Sequence, residues 1–179
     1  DIYEILKGVK DEGGNYQKQP VVVQGITGKY GSVHTKLMME YGTNIVAGVT
    51  PGKGGQKFDN EIPIYDSVKD AVDNSDAQIS IMFVPATFFL SAAKEALDSG
   101  IKLLVAIPEH VPIRDAMEAI ELAKQKNVII IGPNTPGVII PNLIKVGIMP
   151  ASPFSLGNIA VLSKSGTLLY EISNNLTSA

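Results

Sequence analysis

The stretch that most restricts how this chain can fold is Pro20-Val21-Val22-Val23-Gln24-Gly25-Ile26-Thr27-Gly28-Lys29-Tyr30-Gly31. Its β-branched run suits a strand buried on both faces, and the glycine that ends the run allows backbone angles closed to other residues. A buried strand that breaks at glycine and opens a helical pattern predicts the first βα turn of a doubly wound parallel sheet. At such a turn the unbonded N–H groups of the first helical residues face outward with the positive end of the helix dipole. A phosphate can rest there without a dedicated cation. Gly25, Gly28 and Gly31 keep side chains out of its path.

The rest of the chain repeats the same alternation. Residues 2–9 predict a short helix with Ile2, Ile5, Leu6 and Val9 on one side, uncoupled from the sheet by Gly13, Gly14 and polar residues up to Gln19. Residues 32–41 predict a helix in which Val33, Leu37 and Tyr41 recur at about four-residue spacing, with Gly42 as its stop. A second strand over 44–49 leads into Thr50-Pro51-Gly52-Lys53-Gly54-Gly55, and an extended piece over 62–65 precedes Asp66 as the N-cap of a helix carrying Val68, Ala71 and Val72. Strands over 78–84, 101–107 and 128–131 then alternate with helices over 87–99 and 112–126, Pro112 standing in a first turn where proline is tolerated. The last of these strands closes in Gly132-Pro133-Asn134-Thr135-Pro136-Gly137. This order demands right-handed crossovers and a parallel sheet covered on both faces, whose ligands bind outside the carboxyl ends of the strands.

Residues 1–148 are expected to form that domain, with 149–157, rich in Pro, Ser and Gly, as a linker. Residues 158–179 then predict a strand over 158–162 and, past Ser163-Lys164-Ser165-Gly166, a helix through Leu168, Leu169 and Ile172. A lone βα unit cannot bury both of its faces, which favours the start of a second domain over an appendage. Ser165 resembles a nucleophile elbow only loosely and is better read as the start of that helix.

Composition excludes several classes. A formal charge of −3 argues against a nucleic-acid partner, yet Lys29, Lys53 and Lys57 can still make a local positive site. Without cysteine the chain has no disulfide framework or thiolate metal site, and its two histidines, His34 and His110, lie far apart. No apolar run approaches the roughly 20 residues that span a bilayer, and the charged opening does not suit a signal peptide. A cytoplasmic globular protein is expected.

The ligand of the first loop is left open by these residues. Gly-x-x-Gly-x-x-Gly matches neither the dinucleotide fingerprint nor a Walker A loop, and a tight turn without a ligand would have the same spacing. The end of the second strand offers Thr50 and Lys53 with no carboxylate before Asp59, which disfavours an unphosphorylated ribose such as that of NAD. NADP and coenzyme A both remain.

A resemblance goes further. Gln24-Gly-Ile-Thr-Gly-Lys-Tyr-Gly-Ser-Val-His34, Tyr41-Gly-Thr, Gly48-Val-Thr-Pro-Gly-Lys-Gly-Gly55, Gly132-Pro-Asn-Thr-Pro-Gly137 and Ser163-Lys-Ser-Gly-Thr-Leu-Leu-Tyr-Glu171 together resemble the α subunits of succinyl-CoA synthetase, in order, from about Pro20 to Glu171. The resemblance implies a Rossmann-like coenzyme A-binding domain followed by the start of a flavodoxin-like ligase domain. It makes Thr27, Gly28, Lys29 and Tyr30 the first coenzyme A-binding segment and Lys53 the second contact. The third segment becomes Ile107, Pro108 and Glu109. There the family usually has hydrophobic-Thr-Glu-Gly, so Pro108 removes a hydroxyl and a backbone donor, and His110 replaces glycine. Tyr170 falls on a position that helps to hold the carboxylic acid.

The implied reaction joins succinate, or a related acid such as malate or citrate, to coenzyme A. It consumes a nucleoside triphosphate, ATP or GTP, bound by a β subunit, and passes through a phosphohistidine. Neither His34 nor His110 matches that histidine, which the family carries downstream, so these residues alone are expected to be inactive. Two other readings stand beside this one: a coenzyme A-binding regulatory module without turnover, and an NADP-dependent oxidoreductase domain.

Overall fold

Val21 and Val23 pack on one side of the sheet and Val22 on the other, and all three are fully buried. The first strand is therefore central and must be covered on both faces. The computed structural model describes residues 1–178. In chain order, α1 (Ile2–Lys7) precedes β1 (Val21–Gln24), α2 (Lys29–Tyr41) and β2 (Ile45–Val49). Then come β3 (Lys57–Phe58), β4 (Ile62–Tyr65), α3 (Val68–Asp73), β5 (Ile79–Met82), a 3-10 turn (Ala86–Phe88), α4 (Phe89–Asp98), β6 (Leu103–Ala106), α5 (Ile113–Lys126) and β7 (Ile129–Ile131). A hairpin of β8 (Gly137–Ile140) and β9 (Ile144–Gly147) and a last helix, α6 (Gly166–Ser178), follow.

The main sheet runs β3-β4-β2-β1-β5-β6-β7, all parallel except β3, which lies antiparallel on β4 at the edge. The chain winds outward from β1 through β2 and β4, then returns to the other side of β1 at β5. That reversal is the topological switch point, and it opens a crevice beyond the carboxyl ends of β1 and β5. The Rossmann-like α/β architecture expected from the alternation is present.

Small side chains decide how closely the helices sit. Ala71, Ala93 and Ala119 bring α3, α4 and α5 onto one face of the sheet, where Phe89 fills the remaining space. On the other face Met38 of α2 and Leu6 of α1 are joined by Ile144 and Val146 of β9. The hairpin thus covers sheet that α2 alone leaves bare. It is anchored to the end of α2, where Thr43 Oγ1 donates to the Lys145 carbonyl at 2.7 Å.

Several local expectations change. The helix expected over 32–41 starts at Lys29, because Ser32 N–H already reaches the Gly28 carbonyl at 2.8 Å. The N-cap of α3 is Ser67, whose hydroxyl accepts Asp70 N–H at 3.0 Å. Asp66 instead accepts Gly54 N–H at 2.9 Å, bracing the loop after β2. Helix α1 stops at Lys7, since Gly8 takes φ 69°, and Val9 is exposed. Residues 158–162 are not a strand: no strand among the described residues offers them a ladder, and Ile159 and Leu162 face solvent.

Candidate functional site

The loop after β1 is built for close approach of backbone to backbone. Gly25 takes φ 75° and donates its N–H to the Val49 carbonyl at 2.8 Å, which ties this loop to the end of β2. A Cβ on Gly31 would stand 2.2 Å from the Gly25 carbonyl oxygen, so α2 starts directly on the turn. The N-cap, Gly28, has no side chain to bond the first N–H groups of α2. Those of Lys29, Tyr30 and Gly31 have no acceptor within the helix either, and Lys29 and Tyr30 are exposed. An open helix start of this kind offers N–H groups that suit an anion.

The loop after β2 lies against it. A Cβ on Gly48 of β2 would stand 2.4 Å from the Ile26 side chain, so the loop after β1 packs directly on that strand. Thr27 Oγ1 donates to Thr50 Oγ1 at 3.1 Å, and Lys53 N–H donates to the Thr50 carbonyl at 3.0 Å. Lys29, Lys53 and Lys57 take part in none of the ion pairs among the described residues, whereas nearby Lys36 is paired with Asp59 at 3.0 Å. Lys29 at the start of α2 and Lys53 in the loop after β2 thus bring unpaired positive charge to the ends of β1 and β2, while Lys57 lies on β3 beside Gln56, Asp70 and Asn74.

Beyond β5, β6 and β7 opens a cleft of about 1560 Å³. Tyr30, Ile107, Pro108 and Glu109 meet in its wall, facing Phe154 and Leu169 from the C-terminal segment. Thr27, Gly28, Lys29 and Lys53 do not line the cleft; they form the adjoining rim at the ends of β1 and β2. Tyr170 packs edge-on against Phe154, with ring centroids 6.2 Å apart. Burial pushes its hydroxyl pKa upward, and Tyr30 adds to the shift, so Tyr170 is a neutral donor at physiological pH. Ser165 Oγ accepts Leu168 N–H at 3.4 Å, which makes it the cap of α6 rather than a nucleophile.

The third segment is largely committed to the fold. Ile107 N–H donates to the Met82 carbonyl at 3.2 Å, the Pro108 carbonyl accepts Asn134 N–H at 2.9 Å, and proline has no N–H of its own. Pro108 therefore presents an apolar ring, while the exposed Glu109 carboxylate remains free for a donor. His110 sits in the left-handed region at φ 58°, with Nε2 3.9 Å from Glu109. Both side chains are open to water, so the pair lacks the desolvation that acid–base work needs.

Residues 16–110 match the model of the CoA binding domain family. The chain belongs to that family. It is 50% identical over 161 residues to the succinate–CoA ligase [ADP-forming] subunit alpha 2 of Archaeoglobus fulgidus, covering 90% of this chain and 56% of that one. It is 51% identical over 158 residues to the corresponding alpha subunit of Methanothermobacter thermautotrophicus, covering 88% and 53%. The chain thus spans about half the length of these relatives. Among solved structures, ATP citrate lyase of Methanosaeta concilii in complex with (3S)-citryl-CoA superposes with a TM-score of 0.76 at 21% identity, over 90% of this chain and 29% of that one, a likeness of fold.

The CoA-binding domain also holds one cleft residue that the sequence did not single out. Phe83, at the end of β5, lines the cleft and stacks on His34 with ring planes 10° apart and centroids at 6.0 Å. Tyr30 meets the same imidazole edge-on at 4.5 Å. The spacing of Tyr30 and His34, four residues apart on one helix, was the signal for half of this cluster. His34 Nδ1 is buried without a partner; burial, then the charge of Lys145, lowers the pKa of the ring. A histidine depressed in the folded state stabilises the fold fully above its ordinary value of about 6.5 and loses that contribution as pH falls through the lower folded value. Melting temperature is expected to fall between pH 7.5 and pH 5.5, and His34→Phe should flatten that fall. Parallel pH profiles of the two proteins would contradict the assignment.

No helix among the described residues is long and apolar enough to cross a membrane.

Proposed function

We propose that this chain is the coenzyme A-binding part of the α subunit of an NDP-forming succinate–CoA ligase. The observation that supports this most is the open start of α2, joined through Thr27 and Thr50 to the turn that carries the unpaired Lys53. Such a rim suits a nucleotide bearing more than one phosphate: backbone N–H groups take the diphosphate, and Lys53 takes the phosphate on the ribose. Residues 49–58 carry no carboxylate to compete for that phosphate, and Asp66, which reaches this loop, is engaged by Gly54 N–H at 2.9 Å.

The pantetheine arm then follows the cleft past Tyr30, Pro108 and Glu109. The Glu109 carboxylate accepts from its amide or hydroxyl groups, and Tyr30 and Phe83 shield it from water. The arm points the thiol toward α6 and Tyr170, which donates to the carboxylic acid. In the full enzyme the terminal phosphoryl group of a nucleoside triphosphate held by a β subunit passes to a histidine outside these residues and from it to the carboxylic acid; the thiol then attacks the carbonyl of that acyl phosphate, giving the thioester, inorganic phosphate and a proton released to solvent. A cytoplasmic setting agrees with the absence of cysteine.

Calorimetric titration of the protein with coenzyme A and with NADP tests this reading. Saturable binding of coenzyme A that NADP does not displace is expected. Tighter binding of NADP would overturn it in favour of an oxidoreductase domain.

A further inference from the structure

One threonine joins the two loops of the rim. Thr27 Oγ1 donates to Thr50 Oγ1 at 3.1 Å, and Thr50 Oγ1 donates to the Val49 carbonyl at 2.8 Å. That carbonyl also accepts Gly25 N–H at 2.8 Å. Thr50 N–H donates to the Tyr65 carbonyl at 3.0 Å, and the Thr50 carbonyl accepts Lys53 N–H at 3.0 Å. The loop after β1, the lysine turn after β2, and β4 therefore share a single node.

The direction of these bonds has a chemical consequence. A threonine hydroxyl carries one proton and two lone pairs. Because Thr27 gives its proton to Thr50, the oxygen it presents outward can accept but cannot donate. Ionised phosphate oxygens only accept, so they gain nothing from Thr27 in this state. A ribose hydroxyl or a base amino group does.

We infer that Thr50 is a positioning residue for the nucleotide end of the ligand. It holds the two loops at a fixed separation and occupies the Thr27 proton, so that the Thr27 oxygen is left to accept from a donor on the sugar or base, and phosphates are left to the α2 N–H groups and Lys53. This role rests on the coenzyme A reading above.

Thr50→Val keeps the side-chain shape and deletes the relay. It is expected to raise the Kd for coenzyme A about tenfold, the loss typical of one hydrogen bond between side chains whose partner is left unsatisfied. Thr50→Ser, which retains the hydroxyl, should return to within about twofold of wild type. Adding Thr27→Val to Thr50→Val should cost less than about twofold further, because residues acting as a unit are not additive. Should the valine variant fail to fold, Thr50→Ala, which also lacks the hydroxyl, should show the same tenfold loss.

Wild-type affinity in the valine variant, a serine variant as weak as the valine, or full additivity in the double variant would overturn the proposal. So would a lower melting temperature with unchanged binding. Failure of the wild-type protein to bind coenzyme A would remove the functional reading itself, so the two failures are told apart.

Discussion

Gly31→Ala is expected to lower folding stability by about 3 kcal/mol, the upper range for forcing a methyl group into packed structure, and to abolish coenzyme A binding. Its new Cβ would stand 2.2 Å from the Gly25 carbonyl oxygen and 3.4 Å from Phe83 Cβ. The first of these is backbone, held by the Gly28 N–H at 3.0 Å, so it cannot move aside as a side-chain tip would. The start of α2 must lift from the turn, and the N–H groups that face the phosphates lift with it. Gly28→Ala is the control. Gly28 has an ordinary φ of −68°, and its nearest neighbour would be the same oxygen at 3.2 Å, so a shift of a few tenths of an ångström suffices. Urea unfolding of the two variants should show a large loss for the first and a loss under about 1 kcal/mol for the second. Equal losses would mean that the close approach of α2 to the turn does not constrain the fold.

Lys53→Ala is expected to weaken coenzyme A binding by about 1.5–3 kcal/mol, or roughly 10- to 150-fold, as for loss of a hydrogen bond to a charged group. Lys53 is exposed, so water screens the pair and the lower end of that range applies. The same substitution should leave binding of dephospho-coenzyme A unchanged, since that molecule lacks the ribose phosphate. Titrations of both ligands against both proteins separate a specific phosphate contact from a general loss of positive charge. A parallel loss for the two ligands would indicate the latter.

The frame of the fold was legible because its strands are extreme cases. Val21, Val22 and Val23 are buried on both faces, and a run of that kind beside glycine has few other uses. The hairpin of β8 and β9 was not legible, since Pro141 and Asn142 interrupt its apolar residues and β8 is only half-buried. Residues 158–162 show the opposite error. Their apolar content suits a strand, but strands are made by partners, and local composition does not reveal whether a partner exists. Asp66 and Ser67 are both good N-caps, and only the reach of Asp66 to Gly54 decides between them.

The site divides in the same way. Thr27, Gly28, Lys29, Tyr30 and Lys53 lie on two loops that the chain's alternation brings to one edge. Their residue types already suggested a phosphorylated nucleotide. The bond from Thr27 to Thr50 spans 23 positions and leaves no trace in local pattern. Nor does sequence reveal that Asn134 occupies the Pro108 carbonyl, which leaves Glu109 as the free polar group of the third segment.

Backbone amide chemical shifts recorded during titration with coenzyme A test the placement of the ligand most directly. The largest changes are expected at Gly28, Lys29, Tyr30 and Gly31, with smaller ones at Lys53, Phe83 and Glu109 and little change at Gln56, Asp70 or Asn74 on the far side of the loop after β2. Changes centred on that far side, with the amides at the start of α2 unmoved, would contradict it.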